Sequence, residues 1–146
     1  MKQTPLRNRR RGATAVETAL VLSVFILCLF SIFEYGRFVM LEHVMINGSR
    51  EGCRYALVHS QDSTVVADVQ ALVKTRMGGQ DAQFSDLNIQ VYPTNNPTAA
   101  LSTLNPDDPI TVRVTGTFHT IFPTLLFLPI SFQMRSSSIM TCEGNG

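Results

Sequence analysis

The sequence has no tryptophan, only three cysteines and few charges. Charged side chains make up 16% of it, against about 25% in an ordinary soluble domain. Cysteines at 28, 53 and 142 are too few for a disulfide scaffold and are not spaced for zinc. Histidines 43, 59 and 119 are scattered, with no H-E-x-x-H pattern, and no glycine-rich phosphate loop is present. These absences argue against an enzyme, and they call for no cofactor and no metal. Acids are also scarce, and 45% of residues are apolar, which excludes a disordered chain. With 146 residues the chain has room for one domain of ordinary size.

The net charge of +1 averages two different regions. Lys2, Arg7, Arg9, Arg10 and Arg11 give residues 1–12 five cations and no acid. The remaining 134 residues carry seven basic and eleven acidic side chains. Basic charge is therefore a short terminal tag and not a patch on a domain, so no nucleic-acid partner is expected.

Behind this tag, Ala13–Phe33 reads ATAVETALVLSVFILCLFSIF, with Glu17 its only ionisable group. As a helix the run is about 31 Å long, enough to cross the hydrocarbon core of a bilayer. A buried core helix is the alternative, but the run is apolar on every face and so short a chain cannot wrap it. The cationic tag keeps the N-terminus in the cytoplasm by the positive-inside rule, and Arg37 on the far side is flanked by Glu34 and Glu42. A cleaved secretory signal fits poorly. Glu34-Tyr35-Gly36-Arg37 follows the run, without the small-x-small pattern of a cleavage site.

Helical spacing continues beyond Phe33 through Tyr35, Phe38, Val39, Met45, Ile46, Cys53, Ala56 and Leu57. Glu34, Arg37, Glu42, His43, Asn47, Arg50, Glu51 and Arg54 fill the other side. The pattern predicts one helix from Ala13 to Val58, about 69 Å long, lipid-facing and then amphipathic. Gly36, Gly48 and Gly52 within it mark bends or the close approach of another backbone, or are simply tolerated. Asp62 or Ser63 is the expected N-cap of a second helix carrying Val65, Val66, Val69, Leu72 and Val73. The period then changes. Leu87, Ile89 and Val91 alternate with polar residues, as do Ile110, Val112 and Val114, and a third run starts at Ile130, Phe132 and Met134. Residues 93–109, with four prolines, are expected to form an exposed loop, and the apolar stretch 121–129 is either core or a patch that meets another subunit. The predicted class is α+β: one long N-terminal helix, a short second helix and a three-stranded antiparallel sheet. Residues 1–12 form a leader, 13–33 a membrane segment, and 34–146 a domain packed on the distal half of the long helix.

Gly12 closes the basic leader, and Glu17 stands at the fifth position after it, inside the start of the apolar helix. This arrangement resembles the cleavage signature of type IV prepilins. A carboxylate in hydrocarbon is costly, by a few kcal/mol, and persists only with a partner or a task. Cleavage between Gly12 and Ala13 would expose an ammonium able to neutralise Glu17 of the same or a neighbouring chain.

The residues RRGATAVETALVL, then Glu34-Tyr35-Gly36-Arg37, then Ser49-Arg50-Glu51-Gly52-Cys53-Arg54-Tyr55-Ala56 together resemble the TadE-like family of the tight-adherence (Tad) pilus system. Thr18 departs from the family's usual Phe or Tyr, and Cys53 from its usual Ala. The resemblance implies a pilin-like fold and a minor pilin or pseudopilin that helps assemble a Tad (Flp, type IVb-like) pilus for surface adhesion. Its implied partners are a prepilin peptidase, the bacterial inner membrane, other Tad pilins and assembly-platform proteins. The competing expectation is a membrane-anchored binding or adaptor module of the cell envelope that never polymerises. Candidate residues are Gly12 and Ala13 for processing, and Glu17, Glu34, Arg37, Arg50, Glu51 and Arg54 for assembly or recognition. Cys53 and Cys142 both fall on the outward side, where a disulfide between them is possible.

Overall fold

A computed structural model describes residues 7–101 and 108–141, with side chains from Gly12 onward. Helix α1 runs without interruption over Arg7–Val58. From Gly12 to Ile26 every residue is exposed, because no other described element packs there. Here α1 is long and apolar enough to cross a membrane. Its distal half carries the rest of the fold.

After α1 the chain turns into α2, Val65–Arg76. The start differs from the expected cap. Asp62 and Ser63 lie in the preceding turn, where the Val65 N–H bonds to the Asp62 carbonyl at 3.2 Å. Thr64 is the residue before the helix, and its hydroxyl donates to Asp68 Oδ2 at 2.8 Å and not to the backbone. A 3₁₀ turn, Gln80–Gln83, leads to β1, Phe84–Pro93. Strand β2 spans Ile110–His119, a short helical turn α3 spans Pro123–Leu126, and β3 spans Ser131–Met140. The strands form an antiparallel meander in the order β1-β2-β3.

The observed class is α+β, with α1 and α2 covering one face of the sheet. Strand periodicity puts Ile110, Val112, Val114, Gly116 and Phe118 of β2 on the inner face, against Leu41, Met45, Cys53 and Ala56 of α1. Val65, Val69 and Val73 of α2 close the same core. Burying each Val, Leu, Ile, Met or Phe side chain among these contributes about 1.5–3 kcal/mol. Ser49 is the polar member of this seam and shares a hydrogen bond with Ser136 at 3.1 Å. The buried face of α1 is rotated from the predicted stripe: Leu41 is fully buried, whereas Tyr35 is exposed. The amphipathic signal averages over a helix whose partners change along its length.

Two backbone features let the layers close. A Cβ on Gly52 would lie 2.8 Å from Val73 Cγ2, and one on Gly48 would lie 3.2 Å from Val73 Cγ1. These glycines form a notch that receives α2, so close approach is the reason for them; Gly36 has open space. In β1 the pairing shifts between Ser85 and Asn88, with Asp86 at φ 56°. This bulge sets two residues against one. It therefore returns Phe84 to the inner face, where its ring lies over Gly116, and it explains why β1 begins before the alternation at Leu87.

Candidate functional site at the membrane-proximal junction

Gly12, Ala13 and Glu17 all lie on the exposed N-terminal part of α1. A Cβ on Gly12 would meet nothing within 4 Å. Glu17 has no partner among the described residues, so a single copy leaves its carboxylate open to an outside group.

Glu34 and Arg37 are the residues that the fold uses most. The sequence pattern sets both on the polar side of α1, but Glu34 is only 5% exposed. Its Oε1 accepts the backbone N–H of Ile121 at 3.1 Å, and Arg37 Nη1 lies 3.6 Å from the same oxygen. Arg37 Nη2 donates to the His119 carbonyl at 2.6 Å, and the guanidinium stacks 4.5 Å from the Phe118 ring centroid. A helix turn spaced i, i+3 thus clasps the end of β2 and the start of the β2–β3 connection. Charge-assisted bonds of this kind are stronger than neutral ones, and in a partly buried setting they hold a loop in one place. One turn earlier, Phe30 meets Phe122 with ring centroids 4.5 Å apart. Between these contacts lies an apolar cleft of about 370 Å³, bordered by Ser31, Tyr35, Phe118, Leu126 and Leu128.

The remaining candidates divide. Glu51 pairs with Arg76 of α2 at 3.1 Å and with Arg54 at 4.0 Å. These pairs are solvent-accessible and contribute at most about 1 kcal/mol each. Arg50 is exposed. Arg50 and the largely exposed Arg54 side chain face away from the core and are free to meet another molecule. Cys53 is buried, and its thiol donates to the Ile110 carbonyl at 3.2 Å. Burial, foremost, raises its pKa from the ordinary value of 9.0. Such a thiol is a poor nucleophile at neutral pH. Cys142, its expected partner, lies outside the described residues. Cys28 is exposed on the apolar part of α1. Among the described residues no three His, Cys, Asp or Glu side chains gather in a possible metal site.

Sequence reasoning did not find Phe30, His119, Ile121 or Phe122 as parts of this junction. Two are apolar residues in apolar runs, and two contribute only backbone atoms, so no local pattern distinguishes them.

Residues 12–54 match the family model described as TadE-like protein. No curated protein and no solved structure matches the chain. The matched span contains Gly12, Ala13, Glu17, Glu34, Arg37, Arg50, Glu51, Cys53 and Arg54, and it ends inside α1. The sheet and its connection to α1 lie beyond it. A TadE-like segment on a helix able to cross a membrane points to a Tad pilus-associated protein with a single membrane anchor.

Proposed function

We propose that the protein is a minor pilin or pseudopilin that takes part in assembly of a Tad pilus. In this reading the N-terminus is cytoplasmic, α1 crosses the bacterial inner membrane once, and the sheet domain stands in the periplasm. The observation that carries it is the order basic leader, Gly12, Glu17, uncovered apolar helix. A prepilin peptidase then cuts between Gly12 and Ala13. Gly12 presents no side chain to the protease, and the cut leaves an ammonium close in sequence to the Glu17 carboxylate. An unpaired carboxylate costs several kcal/mol in an apolar helix bundle, and pairing with a neighbouring chain's ammonium offsets much of this. Glu17 therefore selects the register between subunits more than it adds net stability. Arg50 and Arg54, exposed on the distal half of α1, are suited to contacts with partner subunits.

N-terminal sequencing of protein from membranes and from sheared surface filaments tests this reading. The expected mature protein begins at Ala13, and Gly12→Val leaves the precursor intact. A protein that keeps Met1–Gly12 in assembling cells is a plain anchor, which would favour an envelope adaptor that does not polymerise.

A further inference from the structure

We propose that the β2–β3 connection, Ile121–Ile130, is a second membrane contact, resting in the interface of the leaflet nearer the sheet with Phe127 directed into lipid. The proposal depends on the reading of α1 as a membrane span. Its first support is an exposed apolar surface. The stretch IFPTLLFLPI has no ionisable or amide side chain. Ile121, Phe127 and Ile130 are 58%, 92% and 71% exposed, and Leu125 and Leu128 are also uncovered. So dense an apolar patch marks a binding surface for protein or lipid.

Position decides in favour of lipid. Phe122 packs on Phe30, which belongs to the apolar segment of α1, and the Ile121 N–H bonds to Glu34 just past that segment. The connection is therefore held beside the last turn of the apolar segment, with its exposed apolar side chains within a few residues of that contact. The clasp also pairs the charges nearest this level, Glu34 with Arg37.

The backbone of the connection is partly paired within the chain, which suits the hydrated interface and not the hydrocarbon core, where unpaired amides are costly. Leu126 donates to the Phe122 carbonyl, and Phe127 and Leu128 donate to that of Pro123. Pro123 and Pro129 have no N–H. The base is closed by Thr120, whose N–H and hydroxyl both bond to the Ile130 carbonyl. Phe127 itself adopts φ 53°, a left-handed conformation unusual for a bulky residue. The fold holds this phenylalanine outward in a strained turn, where none of the described residues covers it.

The absence of tryptophan supplies the test. Three full-length variants, Phe127→Trp, Val24→Trp and Ile139→Trp, each carry a single fluorophore and are reconstituted in phosphatidylcholine liposomes. The lipid is plain or brominated at shallow or deep acyl positions. Val24→Trp reports the span, and Ile139→Trp reports an exposed position on β3. The expected result is quenching of Phe127→Trp mainly by shallow bromines, quenching of Val24→Trp mainly by deep ones, and unchanged emission from Ile139→Trp. Quenching of Val24→Trp without Phe127→Trp overturns the loop contact and leaves the anchor standing. Quenching of neither overturns both readings. A Phe127→Trp signal that lipid bromines leave unchanged and aqueous acrylamide cannot reach assigns the patch to another protein subunit, and it equally overturns the lipid contact.

Discussion

Removing the Glu34 carboxylate should release the β2–β3 connection from α1. Glu34→Ala takes away the acceptor of the Ile121 N–H and the partner of Arg37, which is itself largely shielded from water. Breaking a buried pair by deleting one member typically costs about 3–5 kcal/mol. An orphaned backbone N–H adds about 1–3 kcal/mol where water cannot reach it. These terms overlap here. Arg37 keeps its bond to the His119 carbonyl and its seat over Phe118, and it retains partial access to solvent. We therefore expect about 3 kcal/mol, near the lower end for a broken pair. The loss should be local, because the core between α1, α2 and the sheet does not contain Glu34. Hydrogen exchange of the full chain in one detergent, comparing variant with parent, is the suitable assay. Amides of residues 120–128 should lose protection by roughly a hundredfold, while those of β1 and the centre of β2 change little. Glu34→Gln should fall between parent and Glu34→Ala, since it keeps an acceptor for Ile121 and loses the charge. The double variant Glu34→Leu, Arg37→Met should recover only part of the protection, because no charge is left unpaired but the Ile121 N–H and the His119 carbonyl both lose their partners. A loss below about 1 kcal/mol for Glu34→Ala would refute the clasp.

Gly52→Ala places a methyl 2.8 Å from Val73 Cγ2, so an overpacking cost of about 1–3 kcal/mol should outweigh a gain of about 1 kcal/mol in helix propensity. Gly36→Ala meets open space and should stabilise by up to about 1 kcal/mol; thermal melts that rank the two the other way would contradict the notch. For the proposed Cys53–Cys142 disulfide, thiol labelling of unfolded protein without reductant should modify Cys28 alone, and all three cysteines after reduction. The closed loop, roughly 90 residues, contributes up to about 4 kcal/mol in the chain-entropy model. In the reduced protein, the raised pKa of Cys53 means that the folded state holds its proton longer than the unfolded state. Its contribution is complete below the ordinary thiol value of 9.0 and is lost as pH rises through the folded value; alkaline titration of the melting point should show this, and Cys53→Ala should abolish it. Glu17→Ala should still insert and be processed but fail in filament assembly. Precursor cleavage and surface filaments measured in the same cells check this, and normal filaments would remove the pairing role.

Local periodicity made much of the architecture legible. The apolar run of Ala13–Phe33, the change from helical to alternating spacing, and the strands around Ile89, Val112 and Met134 all follow from which side chains avoid water. The positions of Gly12 and Glu17 also belong to the linear pattern, as does the presence of an apolar stretch between prolines at 123 and 129. Periodicity reports that a face is covered and is silent about what covers it. Glu34 read as a polar-side residue because its partner, the Ile121 amide, is 87 positions away and has no side-chain signature. The notch at Gly48 and Gly52 acquires its reason only when Val73 of α2 is set against it. The inward turn of Phe84 depends on the bulge between Ser85 and Asn88, and thus on strand register, which pairs residues distant in sequence. The apolar connection was open to two readings, core or a patch that meets another subunit. Only the tertiary structure takes it out of the core: the clasp and the Phe30–Phe122 contact hold it against α1, with Phe127 left outside.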